Sequence, residues 1–195
     1  MDWVFQQDDK NPTEPLPSRL FDPDILTEEN FVWLGHSTLL MKINSFVFTT
    51  DPVFNRASPV HVLGSPFPVQ NPISIDDLPA VDVVIIFHNH YDHLDYQVIK
   101  ILLKRVNHFI VPLGVKAHLE RSGVVSIKFS ELDWYESKAY RGVRLTLAPP
   151  RHFSGRGLWD RNSTLWGSWI ISSKTFNVYF SGDSDYSDTF KTIGQ

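Results

Sequence analysis

The 195-residue chain contains no cysteine. That excludes disulfides, thiolate-held zinc, iron–sulfur clusters and thiol nucleophiles. Long hydrophobic runs are missing as well. The densest, residues 83–87, ends at His88, far short of the ~18 apolar residues a membrane helix needs. Met1-Asp2-Trp3 opens no cationic-then-apolar stretch, so no secretory signal is read; the expected location is cytoplasmic, with peripheral contact at the inner membrane face left open. There is no basic excess: Lys+Arg 18 against Asp+Glu 22 give a formal charge of −4, which argues against a nucleic-acid partner. What is present is 42% hydrophobic and 21% charged residues, enough for a packed core. Eight histidines complete the inventory.

Prolines crowd the first part of the chain. Pro12, Pro15, Pro17 and Pro23 punctuate a polar stretch, so residues 1–29 read as an extended arm and 30–195 as one domain. Short apolar runs at 31–34, Thr38–Ile43 and Phe46–Thr50 read as strands. Residues 52–80 form a Pro-rich loop, long enough to suggest a function of its own. Its Phe54, Val60, Val62, Leu63, Phe67 and Val69 suit either packing on a sheet or receiving an apolar substrate, with Phe54 and Phe67 the candidate substrate contacts. The unbroken run 83–87 predicts a strand buried on both faces. Apolar residues at helical spacing predict a helix over 94–106, with Asp95 as its cap, and a shorter one over 114–121. Strands are expected at 109–111, 124–129, Val143–Ala148, 165–171 and Asn177–Phe180. Strand–helix–strand flanked by β-runs indicates a layered α/β fold.

The strongest signal is His88-Asn89-His90-Tyr91-Asp92-His93, directly after the buried strand. In a strand-to-helix loop His88 and His90 project together toward one cation, and Asp92 and His93 serve a second nearby. His61, His108 and His118 stand outside any such pattern.

This cluster resembles the signature of the metallo-β-lactamase superfamily. Trp33-Leu34-Gly35-His36-Ser37-Thr38, Thr50-Asp51-Pro52, Arg151-His152-Phe153, Leu165-Trp166-Gly167-Ser168-Trp169 and Phe180-Ser181-Gly182-Asp183 follow in order. Together they resemble the branch containing N-acyl-phosphatidylethanolamine-hydrolysing phospholipase D. The resemblance implies an α/β (α+β) αββα sandwich, of which this chain carries the first half and the opening strands of the second. It implies a first metal on His88, His90 and His152, and a second on Asp92 and His93, with Asp183 between them. Two divalent ions are implied, zinc first, with manganese or iron served by the same N and O donors. Asp92 and Asp183 become the catalytic candidates, supporting a bridging hydroxide that attacks a phosphodiester or acyl group. Asp51 and His36 are expected to orient the donors.

Three departures accompany the resemblance. Phe87 stands where relatives commonly have Ser or Thr, Asp185 where Gly is usual, and no histidine follows His152. The superfamily completes its second site with a later histidine, so the chain is expected to lack a C-terminal part, and uncovered strand edges open a route to homo-oligomers. A lipid or other small-molecule phosphodiester is the expected substrate. A lactone or small-ester hydrolase, and a catalytically silent one-metal protein, remain alternatives.

Overall fold

A computed structural model describes residues 12–54, 67–123 and 128–193. A six-stranded mixed sheet is built from β1 (Asn30–Gly35), β2 (Thr38–Ile43), β3 (Phe46–Thr50), β4 (Val81–Ile85), β5 (Val106–Pro112) and β6 (Phe129–Leu132), in that spatial order. The first three pair antiparallel, and β3 through β6 run parallel. The parallel part requires three crossovers, and helices lie in two of them: α1 (Tyr96–Leu102) between β4 and β5, and α2 (Lys116–Arg121) between β5 and β6. The second sheet holds β7 (Ser137–Tyr140), β8 (Val143–Ala148), β9 (Ser168–Ser172) and β10 (Asn177–Phe180), all antiparallel in the order β10-β9-β8-β7. A last short helix, α3 (Thr189–Ile193), sets Phe190 edge-on to Tyr179 of β10, with 5.7 Å between ring centroids.

Alternation along the central strands divides the core in two. Val84, Ile86, Phe109 and Val111 face the helices and meet Val98, Ile99, Leu102 and Leu119. Val83, Ile85, Phe87 and Ile110 face the second sheet and meet Leu145, Leu147, Trp169 and Ile171. Buried on both faces, β4 is apolar at every position but Asp82, as a central parallel strand must be.

Several elements depart from their sequence expectation for visible reasons. The first helix spans Tyr96–Leu102 rather than 94–106: Asp95 Oδ1 accepts from the backbone N–H groups of Gln97 and Val98 and fixes its start, and β5 already begins at Val106. The run 165–171 joins its sheet only from Ser168, because Leu165 N–H donates to Leu113 O and Gly167 N–H to Phe87 O. Strand β7 is mostly exposed and polar, so it carries no hydrophobic signal. Of the run 124–129, only Phe129 falls in a described strand, and 124–127 lie outside the described residues.

Within the stretch 1–29, Leu16 forms a parallel bridge with Val69 and Leu26 is buried in the helix-side core. No helix among the described residues is long and apolar enough to cross a membrane.

Candidate metal centre

The site begins where β4 leaves its sheet. Ile86 N–H still donates to Ile110 O, but the Phe87 N–H donates to the Asp51 carboxylate at 2.9 Å. Ile86 O accepts from the Trp169 indole at 3.0 Å, and Phe87 O accepts from Gly167 N–H at 2.9 Å. The strand's last groups are thus held by a side chain and by the second sheet. The next residue, His88, is thrown into the seam between the sheets and is only 1% exposed.

His88, His90 and His152 converge there. His88 Nε2 lies 2.6 Å from His90 Nδ1 and 3.3 Å from His152 Nε2. Burial, reinforced by repulsion from His93, His90 and His152, holds the His88 ring well below the ordinary imidazole range, and burial also lowers His90 and His152. Neutral rings each present a lone pair, and three ring nitrogens facing one point form the donor set of a cation better than a hydrogen-bond network.

The second set surrounds His93. Its Nδ1 lies 2.7 Å from Asp51 Oδ2, and its Nε2 lies 3.0 Å from Asp183 Oδ2 and 3.8 Å from Asp92 Oδ2. Burial pulls the His93 pKa down, yet the Asp51 charge and hydrogen bonds to Asp183 and Asp51 prevail and raise it to about 10. Burial also works upward on Asp92, but the His36 hydrogen bond and His93 charge lower it to about 2. Burial alone dominates at Asp51 and raises it to about 6. Asp183 Oδ2 is also 3.8 Å from His152 Nε2, which places this carboxylate between the two sets.

His36, expected to orient the donors from behind, stands among them. Its Nε2 is 3.3 Å from Asp92 Oδ2, and its donor atom lies within 4.8 Å of those of Asp92 and His93. The β1–β2 turn causes this: Gly35 (φ 111°) and His36 (φ 47°) both take positive φ, and the Trp33 indole donates to His36 O at 2.8 Å. Such left-handed non-glycine residues cost energy and concentrate at functional sites. Asp51, at φ 32°, is a second.

The distant donors are brought in by pairing between loops. Arg151 and Asp185 form an isolated antiparallel bridge, with Asp185 N–H donating to Arg151 O, so that His152 and Asp183 are neighbours. Asp185 thus joins the site through its backbone, and its carboxylate charge also acts on His152. Gly182 (φ 57°) fits beneath them because a Cβ there would come within 2.5 Å of Phe87 Cδ1. Phe87 itself packs on Phe180 at 4.4 Å between centroids, giving the centre an apolar floor where a Ser or Thr would place a hydroxyl. The Trp-Gly-Ser-Trp segment ties the seam together: Gly167 and Trp169 hold the end of β4, and Ser168 Oγ donates to Ser181 O at 2.6 Å, just before Gly182 and Asp183. His36, Ser37, Phe180, Ser181, Gly182 and Asp183 line an open cavity of about 260 Å³ at the site.

Phe54 packs against the helix-side core, whereas Phe67 is 53% exposed. Residues 55–66, including Val60, His61, Val62 and Leu63 of the candidate substrate loop, lie outside the described residues. His108 bonds Ser130, and His118 bonds Tyr96 and Asn89, so neither joins the centre. Sequence reasoning passed over Asn89, whose amide oxygen accepts from Gly155 N–H at 2.7 Å, and Arg156. An asparagine between two histidines and an arginine in a Gly-rich loop carry no pattern of their own.

His93 carries a pH signature. Its folded pKa is raised above the ordinary 6.5 to about 10, so its contribution to stability is complete below pH 6.5 and fades as pH climbs toward 10. The melting temperature of chelator-stripped protein is therefore expected to fall across that window, and Asp51→Asn to flatten the fall. Thermal scans in chelator at half-unit pH steps check it; equal slopes in both proteins would refute the ion-pair account.

Two facing sheets with helices on the outer side and His/Asp donors at the seam define the metallo-β-lactamase fold. Residues 48–195 match the model of the beta-lactamase superfamily domain, and the chain belongs to that superfamily. It is 40% identical over 198 residues to an uncharacterized protein of Mycobacterium tuberculosis, covering 98% of this chain and 52% of that one. It is 36% identical over 174 residues to N-acyl-phosphatidylethanolamine-hydrolyzing phospholipase D 1 of Caenorhabditis elegans, covering 84% and 49%. The chain thus spans about half the length of the curated relatives it matches. Among solved structures, CmlA, a diiron beta-hydroxylase from Streptomyces venezuelae, superposes with a TM-score of 0.64 at 23% identity, covering 86% of this chain and 32% of that one. Igni18, a metallo hydrolase from Ignicoccus hospitalis, gives 0.62 at 18% identity, covering 84% and 64%.

Proposed function

We propose that this chain carries the metal centre of a hydrolase that cleaves phosphodiesters of the N-acyl-phosphatidylethanolamine type. The observation that carries the metal-dependent part is the convergence of two donor sets, His88/His90/His152 and His36/Asp92/His93, linked through Asp183. The donors fit divalent ions: they are imidazole and carboxylate only, compatible with zinc, manganese or iron. When bound there, such ions polarise an attacked oxygen and acidify water.

The chain's own groups prepare that chemistry. Asp51 takes the Nδ1 side of His93, which fixes the ring and leaves Nε2 toward the site. Asp183 has its carboxylate at 3.0 Å from His93 Nε2, able to accept a proton there. Phe87 and Phe180 supply an apolar wall beside these groups.

The lipid reading is supported by the 36% identity to the worm phospholipase D. It is supported also by an apolar groove of about 230 Å³ lined by Leu16, Leu20, Phe21, Ile25, Trp33 and Leu34. Gly35, the residue before His36, is among those that line the groove. A lactone or other small ester has no comparable claim on the groove.

Turnover of bis(p-nitrophenyl) phosphate and of an N-acyl-phosphatidylethanolamine in mixed micelles tests the proposal, with metal content measured in parallel. His88→Ala and Asp92→Ala are each expected to cut turnover at least ~100-fold, since removing a donor disables the cation it holds. Metal-loaded wild type that hydrolyses only lactones would overturn the phosphodiester reading. Wild type that binds no metal would overturn the centre itself.

A further inference from the structure

The metal loop has little backbone structure of its own. Between β4 and α1, the internal backbone bonds run from His93 N–H and Leu94 N–H to His90 O. Carbonyls on either side of the histidines turn inward, toward a segment from the connection between β8 and β9.

Arg156 occupies that position. Its Nη1 donates to Asn89 O at 2.8 Å, to Leu94 O at 2.8 Å and to His90 O at 3.3 Å. Its guanidinium carbon sits 3.9 Å from the Tyr91 ring centroid and 4.3 Å from that of Tyr96, so aromatic rings flank the planar cation. The arginine is itself held: Asp160 accepts from Arg156 N–H and Gly157 N–H, and Gly155 N–H donates to the Asn89 side chain. Asp95, which caps α1, adds a negative charge nearby.

We propose that Arg156 is the positioning residue that sets the shape of the metal loop, and through it the spacing of His88, His90 and His93. Asn89 lies between two of these histidines, and Leu94 directly follows the third. A shift of either carbonyl therefore turns a neighbouring imidazole. Arg156 acts through the loop, since its partners are loop carbonyls, the Tyr91 and Tyr96 ring faces and the Tyr91 side chain, to which it hydrogen-bonds. Arginine is required because a planar fork can donate to several carbonyls while stacked on rings, whereas a lysine ammonium has no face to stack. The donor also comes from the second sheet's side of the seam, so the loop takes its shape only when the two sheets dock. This inference rests on reading the cluster as a metal centre.

Zinc affinity of stripped protein, measured by competition with a chromophoric chelator, tests it alongside the melting temperature of the metal-free form. Arg156→Ala is expected to weaken zinc binding by about 10–100-fold, the range for groups that orient ligands. Val143→Ala, buried between the sheets away from the loop, lowers the melting temperature yet is expected to bind zinc as wild type does. Added methylguanidinium is expected to recover affinity in Arg156→Ala and to leave Val143→Ala unchanged. Should Arg156→Ala not fold, Arg156→Lys decides: a severalfold loss of affinity supports the proposal, and wild-type affinity overturns it. Unchanged affinity in Arg156→Ala, or an equal loss in Val143→Ala, also overturns it. Wild type without zinc affinity would instead remove the metal-centre reading beneath it.

Discussion

Asp51→Asn is expected to destabilise the protein by about 3 kcal/mol and to weaken metal binding about 10–100-fold. Both effects follow from one side chain, fully buried, whose two oxygens do different work. Oδ1 accepts from Phe87 N–H and so ends β4, while Oδ2 meets His93 Nδ1 at 2.7 Å. Breaking a buried charged pair by removing one partner costs about 3–5 kcal/mol. The lower end applies because His93 can release its proton once Asp51 is gone. The metal effect follows from the lost constraint on the ring, the usual consequence of removing a carboxylate behind a histidine donor. Denaturant unfolding of stripped protein measures the first and chelator competition the second. A variant with wild-type metal affinity would show that the ring is fixed by packing against Phe87 and His88 rather than by the carboxylate.

Trp169→Ala is expected to cost about 3–5 kcal/mol, as for other large aromatic residues removed from a packed core. Trp169 is 0% exposed and belongs to the inter-sheet core with Phe87, Ile85 and Leu147. Its indole also donates to Ile86 O, two residues before His88. Its loss therefore opens a cavity and frees the strand end that presents the metal loop. Trp169→Phe separates these: it retains most of the volume and removes only the donor. It should recover most of the stability while leaving metal affinity reduced, read by unfolding curves and zinc titration. If Trp169→Phe binds metal normally, the bond to Ile86 O is dispensable for the site.

How far the sequence revealed this arrangement depended on distance along the chain. His88, His90, Asp92 and His93 were legible because their donors crowd one loop after an apolar strand. His152 and Asp183 show nothing locally, and only the ordered motifs of the superfamily drew them in. Their pairing rests on the Arg151–Asp185 bridge, a contact that no periodicity encodes. Strand β4 announced itself through burial on both faces, whereas β7, at a sheet edge and mostly exposed, could not. Asp51 was legible in type, as a carboxylate ending a strand, but its grip on Phe87 N–H was not. Trp-Gly-Ser-Trp first served as a family marker. The structure gives its physical content: Gly167, Ser168 and Trp169 each bond to a backbone carbonyl at the seam between the sheets. Arg156 stayed hidden because a lone arginine in a loop reads as surface.

The uneven spacing of the donors has a consequence for the unfolded chain. Four lie within one short loop, but His36 is 56 residues from Asp92, His152 is 64 from His88 and Asp183 is 90 from His93. An unfolded molecule keeps the local group and loses the remote donors, so it retains some affinity for a cation. A ligand stabilises a fold only by the difference between its affinities for the folded and unfolded states. Whatever protection a bound ion lends this protein against unfolding is therefore set by His36, His152, Asp183 and the burial around them, and the histidine-rich loop contributes least where its sequence is most conspicuous.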